Sequence, residues 1–462
     1  MTKENNNDFL GTEPIGKLLI KMSIPAVLAQ IINMLYNIVD SIYIGHMPEN
    51  GALALTGVGV CLPIILIVSA FAALVSMGGA PRASIAMGGG KNGEAEGILG
   101  SCLTLQLIIS AILTTVLLIW NRDLLLAFGA SENTIEYASG YMRIYALGTV
   151  FVQLTLGMNA FITAQGFAKT GMYTVLIGAL MNIVLDPILI FAFDMGVQGA
   201  ALATILSQAV SAIWVMCFLS GKKTILRIRK PNLKLNPKII LPCIALGVAP
   251  FIMQASESVI SVCYNSSLLK YGGDVAVGAM TILTSVMQFA MMPLNGLGQG
   301  AQPITSYNFG AKNVERVKKT FFLLLKVSLC YSLLLWALVE LFPGAFAAIF
   351  TSNAELIAFT KDALRIYCAS IGIFGIQMAC QMTFMATGNA RASVLVAVMR
   401  KFILLVPLIY IMPLFIENKT MGVYLSEPVA DLISVIFAAT LFSFEFKKAL
   451  RSISDPLEPK LQ

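Results

Sequence analysis

Three acids fall inside apolar runs long enough to cross a membrane: Asp40, Asp186 and Glu257. An ionised side chain there costs roughly 2.5–3.5 kcal/mol on insertion scales, so each needs a partner or a task. Asp40 ends a polar stripe. The run AQIINMLYNIVDSIYIG carries Gln30, Asn33, Asn37 and Asp40 at three- and four-residue steps, one face of a helix. In NIVLDPILIF, Asn182 and Asp186 lie one turn apart, and Pro187 has no N–H, which frees a backbone carbonyl at that turn. GAALATILSQ adds Thr204 and Gln208 at the same spacing. If these three helices adjoin, two carboxylates, an amide and a hydroxyl converge. Such a set binds Na⁺ through oxygens, or holds one or two protons, because two buried carboxylates side by side resist being ionised together. The plainer reading is a polar patch joining helices, but two acids exceed what joining requires. Glu257, flanked by Gln254, Ser258 and Ser261, reads either as an attractor for a cationic ligand or as a structural acid bonded to a neighbouring helix. Tyr36, Gln153, Asn159 and Gln381 are candidate lining for a central cavity. Most of the 23 Met are packing residues, and a few would suit a cavity that accepts varied apolar cations.

The elements that must hold these residues are membrane helices. Of 462 residues, 57% are hydrophobic and 12% charged, and the mean hydropathy is +0.82. A water-soluble fold has no core large enough for that much apolar surface, whereas lipid solvates it directly. The apolar runs have helical length and lack the short alternating strands of a barrel. Reading them against their Gly, Pro and charged breaks predicts twelve spans, at 18–44, 53–77, 97–120, 138–163, 172–193, 197–219, 239–269, 275–297, 319–342, 361–386, 393–415 and 421–446. The 220–238 connection carries seven Lys and Arg and no acid, and Arg82, Lys91, Lys169, the 312–319 cluster, Arg391 and the 447–451 tail fall on its side. The positive-inside rule therefore places both termini in the cytoplasm. The polar N-terminus lacks a cleavable signal, so the first span is expected to be retained. A single His and eight scattered Cys without a CxxC pair leave no Cys/His metal constellation. GGGKNGE (88–94) lacks the Walker spacing and follows no strand, which discounts nucleotide binding. Nothing here reads as an enzyme or a nucleic-acid binder.

The chain repeats itself. Arg143-IYALGTVFVQ lies over Arg365-IYCASIGIFG at an offset of 222, and GGAP ending at Pro81 answers GAQP ending at Pro303. MGGGKNGEAE (87–96) answers YNFGAKNVER (307–316), SIPAVLAQ (23–30) answers VAPFIMQA (248–255), and Pro187 answers Pro407. Spans 1–6 thus recur as 7–12 with the same topology, a known plan for a rocking carrier. The domains are a lobe over 1–219, a basic linker at 220–238, a second lobe over 239–446 and a tail at 447–462. Asp40 maps to Asn265 and Asp186 to Val406, so the coupling chemistry belongs to the first lobe. Pro25 and Pro250 take equivalent positions, each removing a helix hydrogen bond, and are candidate hinges.

On NIVLDPILIFAFDMGVQGAALAT (182–204), IVDSIYIG (38–45), GGDVAVGAMTI (272–282) and GAQPITSYNFGA (300–311), essentially the whole chain resembles the MATE family of multidrug and toxic compound extrusion transporters, in its bacterial MepA-like and DinF-type branches. The resemblance implies an all-α, V-shaped pair of six-helix lobes that exports organic cations against inward H⁺ or Na⁺, with no other cofactor. It implies a first-lobe cation site on Asp40, Asn182, Asp186 and Thr204, and substrate contact at Tyr36. Some relatives carry an acid in span 10, where this chain has Gln377 and Gln381, so a second-lobe cation site is not implied. The resulting expectation is a monomeric, multi-pass protein of the bacterial cytoplasmic membrane. The alternative is a flippase for a lipid-linked saccharide, which would need a strongly cationic cavity, and few Lys or Arg lie in the spans.

Overall fold

Hydrocarbon offers no partner for a backbone amide, so a crossing segment must close its hydrogen bonds internally as a helix. In the computed structural model, which describes residues 8–47 and 51–454, the chain is helical nearly throughout. Nine of the described helices are long and apolar enough to cross a bilayer, and two bent pairs pass the same test jointly. One of the nine, Pro237–Gly310, has 74 residues, about 110 Å of helix against roughly 30 Å of hydrocarbon. It is two spans. Gly273 breaks it at φ 63°, ψ −160°, a conformation essentially open only to glycine.

Twelve spans result, as the sequence predicts. Spans 1–6 are Ile15–Gly45, Gly51–Gly88, Asn92–Ile119, the bent pair Ile135–Leu147 and Thr149–Ala164, Ala168–Ala192, and Gly196–Ser220. Spans 7–12 are 237–272, 274–310, Val314–Leu341, the bent pair Ala354–Tyr367 and Ile371–Ala386, Ala390–Phe415, and Lys419–Ser454. The repeat survives in detail. Spans 4 and 10 bend by 57° and 47° at matching places. The short helices Asn121–Ala127 and Pro343–Phe350 precede them at equivalent positions. Spans 5 and 11 each open into a π-helical stretch near the paired prolines, at Ile188–Ala192 and Met399–Leu405.

Spans 2 and 8 outrun their apolar windows by about three turns, and packing explains why. Those extra turns are rich in small residues and form the seam between the lobes. A side chain at Gly88 would collide with the Tyr307 carbonyl, and one at Gly310 with the Ile85 carbonyl, the same contact reflected through the repeat. Gly78 lies against Cys243, Gly247 against Leu74, Gly300 against Ser23 and Gly296 against Val27. All of these approaches fall in the halves of spans 1, 2, 7 and 8 that border the basic loop. Phe71 and Phe251 meet edge-to-face at 5.0 Å, and Gln30 donates to Gln299 at 3.4 Å.

Candidate functional site

Span 1 packs on span 5 and span 5 on span 6, which brings the first-lobe oxygens together. Asn182 and Asp186 are buried, and Asn182 Nδ2 donates to Asp186 Oδ1 at 3.1 Å. The Asp40 carboxyl lies within hydrogen-bonding reach of the Asp186 carboxyl. Thr204 on span 6 comes within reach of the Tyr141 hydroxyl, and Tyr141 in turn lies near enough to Asp40 to feel its charge. Tyr36 stands one turn from Asp40 on the same face of span 1. Four buried oxygens here accept from no protein donor: Asp40 Oδ1, Asp186 Oδ2, Asn182 Oδ1 and, a turn along span 6, Gln208 Oε1. Each is costly to bury unbonded. Pro187 ends the α-helical pattern directly after Asp186, and the π-helical turn widens the backbone there. Among the described residues no group of three or more His, Cys, Asp or Glu side chains gathers to hold a metal ion. Two carboxylates and an amide form an all-oxygen set, chemically able to hold a proton or a hard cation.

The stripe on span 1 leads from this site into a chamber of about 540 Å³ at the lobe boundary. Gln30 and Asn33 line it from span 1, Asn159 from span 4, and Gln254 from span 7. Two of the candidate lining residues therefore reach it, Asn159 and Gln254. Gln153 does not. It is buried between spans 2 and 3, donating to the Val68 carbonyl at 2.7 Å and accepting from Gln106. Gln381 lies inside the second lobe, its Nε2 donating to Ser393 Oγ at 2.8 Å, where it lines a separate cavity with Gln377, Arg400 and Lys401. Pro25 and Pro250 are both buried within their helices.

Glu257 is not a free anion. Lys401 Nζ donates to its Oε1 at 2.7 Å, with the lysine side chain buried and the carboxylate half exposed. The geometry is that of the structural acid bonded to a neighbouring helix. Beside it lies a cluster that the sequence reasoning missed. Arg400, buried, donates to Asp431 at 2.7 Å and to Glu427 at 3.0 Å, and lies over the Phe374 ring. Ser370 Oγ bonds the second oxygen of Asp431, and the Tyr264 hydroxyl bonds that of Glu427, each at 3.0 Å. The signal was present in the sequence. Arg400 and Lys401 interrupt the apolar run of span 11, and Glu427 and Asp431 share one face of span 12 at a four-residue spacing.

Two repeated six-helix lobes, a chamber at their boundary and an oxygen-rich site in one lobe define a two-lobed membrane transporter. The MatE family model matches residues 25–188 and again 250–411, once per lobe, and the chain belongs to that family. It is 25% identical over 399 residues to the multidrug export protein MepA of Staphylococcus haemolyticus, covering 86% of this chain and 87% of that protein. It is 23% identical over 411 residues to MepA of Staphylococcus aureus, covering 89% and 90%. Among solved structures, a MATE protein in its bent conformation superposes with a TM-score of 0.91 at 23% identity, over 98% of this chain and 100% of that one. An outward-facing multidrug resistance MATE transporter of the MOP superfamily gives 0.89 at 23% identity, over 97% and 99%.

Proposed function

We propose that this transporter is a cation-coupled antiporter that exports drug-sized solutes, organic cations among them, while H⁺ or Na⁺ enters through the Asp40–Asp186 site. The observation that carries this reading is the meeting of the Asp40 and Asp186 carboxyls, with Asn182 bonded to the second of them, inside the first lobe. What sets this group apart from an amide that merely joins helices is that two of its members are carboxylates within reach of each other, and two adjoining carboxylates without a cation or proton repel. The second lobe contrasts with it, because its acids are met by Arg400 and Lys401. Among the described residues lining the chamber there is no Lys or Arg. Arg400 and Lys401, which line a second cavity inside the second lobe, are tied to Glu427, Asp431 and Glu257. Both facts argue against handling a lipid-linked phosphate. The positive-inside rule puts the basic 220–238 loop and both termini in the cytoplasm of a bacterial cell membrane, and the protein acts as a monomer.

The test uses proteoliposomes with Na⁺ and pH gradients imposed separately. Asp40→Asn and Asp186→Asn, which nearly preserve volume, should each abolish gradient-driven efflux in folded protein. Wild-type pumping by both variants would remove the site from the mechanism.

A further inference from the structure

The chamber is large enough for a drug-sized solute, since ligand pockets run roughly 300–1,000 Å³. Its lining is unusual for a receptor of cations. Six carboxamides reach it, Gln30, Asn33, Asn159, Gln254, Gln299 and Gln302, together with hydroxyls such as Ser76 and Thr163. Among the described residues it is lined by no ionisable side chain. The nearby acids are engaged elsewhere. Asp40 lies seven residues beyond Asn33, about 10 Å along the helix, and faces Asp186. Glu257 lies three residues beyond Gln254 and holds Lys401. Arg82, between the lining residues Pro81 and Ser84, reaches Cys243 of span 7 and keeps its Nε unbonded, and a cation so placed repels a cationic solute.

We propose that this chamber selects solutes by hydrogen bonding and size, and that its preferred substrates are uncharged, drug-sized molecules rich in hydrogen-bond donors and acceptors. The inference deepens the antiport reading and rests on it. A cation moved from water into a site without a counter-ion loses hydration that amide dipoles only partly replace. A neutral solute carries no such penalty. Gln30 and Gln299 bond each other, and Asn159 donates to the Gly171 carbonyl. A carboxamide has two N–H groups and two lone pairs, however, so each retains spare capacity. Six amides from spans 1, 4, 7 and 8 therefore match many arrangements of polar groups without requiring one. Breadth of substrate follows from that adaptability. There is also an electrical consequence. Exchange of a monovalent cation for a neutral solute moves one net charge per cycle, whereas one-for-one exchange with a cationic drug moves none.

A matched pair tests this: ethidium, a quaternary cation, and the neutral 3,8-diamino-6-phenylphenanthridine with the same ring system. Binding is measured by fluorescence on purified protein in nanodiscs, and charge movement on supported proteoliposomes. The neutral compound should bind at least tenfold more tightly and produce a transport current that ethidium does not. Gln254→Glu, placing a carboxylate on the chamber wall, should raise ethidium affinity at least tenfold, while Glu257→Gln should leave it within twofold. Ethidium binding as well as the neutral compound, or losing its affinity in Glu257→Gln, would overturn the inference. So would a Gln254→Glu variant with wild-type melting temperature and unchanged ethidium affinity. Those outcomes leave antiport standing as long as Asp40→Asn still abolishes gradient-driven efflux of either compound.

Discussion

Replacing Arg400 by Met should be among the most damaging single changes in the second lobe. The arginine is 7% exposed, and its two acids, Glu427 and Asp431, are 5% and 1% exposed. Bonds of 3.0 and 2.7 Å join them. Removing one member of a buried charge cluster costs about 3–5 kcal/mol, because the remaining charges stay desolvated and uncompensated. Here one cation serves two carboxylates. The hydroxyls of Tyr264 and Ser370 already bond these acids with the arginine in place and so offset none of the change, which leaves an expected loss of roughly 3 kcal/mol or more. Lys401→Met provides the control. It leaves behind a single acid, Glu257, which can take up a proton, instead of two carboxylates around one site, so the loss should be smaller than for Arg400→Met. Unfolding in detergent micelles, followed by tryptophan fluorescence, measures both. The triple variant Arg400→Met/Glu427→Gln/Asp431→Asn should regain most of the deficit, since no charge is then stranded. An Arg400→Met protein within 1 kcal/mol of wild type, or a triple variant less stable than the single one, would refute the account.

Two further outcomes are expected. Gly273→Ala should destabilise the protein by about 1–3 kcal/mol by backbone strain alone, because a methyl group there meets no atom within 4 Å; unchanged thermal stability would show that the break between spans 7 and 8 tolerates other residues. The thiols of Cys102 and Cys243 are in contact across the lobe boundary, within one apolar cluster. With the other six cysteines replaced by Ala, copper phenanthroline should therefore link the two lobes, seen as halves that stay joined after proteolysis at a site engineered into the 221–236 connection. A failure to cross-link would contradict the seam described for spans 2, 7 and 8.

Much of this was legible in the residues, and the exceptions have physical causes. Span number and the repeat were readable because hydrophobic length and the collinear Gly, Pro and Arg landmarks are properties of single segments. The meeting of Asp40 with Asn182 and Asp186 was readable because each lies on a stripe whose periodicity names its face. The far ends of spans 2 and 8 were missed because Gly78–Gly88 and Gly298–Gly310 are held by close backbone packing, which hydropathy does not register. The Arg400 cluster was missed for a related reason. Averaging over a strongly apolar run conceals two adjacent cations, and no single segment shows that Glu427 and Asp431 on the next span neutralise one of them. Gln153 shows the limit of reading polarity as cavity lining. An amide in an apolar helix joins neighbouring spans as readily as it faces a chamber, and spacing along its own helix does not separate the two.

Span 1 is where the seam, the chamber and the acid site meet. Its first third, at Ser23 and Val27, packs against Gly300 and Gly296 of the other lobe. Its middle third lines the chamber through Gln30 and Asn33, and its last third presents Asp40 to Asp186. Pro25 sits within the seam portion, so the helix lacks a backbone bond where the lobes must part. On the antiport reading, a cation at Asp40 shifts the lobes only by its differential affinity for their two arrangements. Moving an equilibrium from 1:99 to 99:1 needs about 5.5 kcal/mol, and one charge crossing 100 mV supplies about 2.3. The ion alone falls short by about 3 kcal/mol at that voltage, and the solute in the chamber must bias the remainder through the same helix. A disulfide between Cys102 and Cys243 would hold the seam shut at the other end of that lever. Transport by the linked protein should then stop whatever the gradient, and resume on reduction.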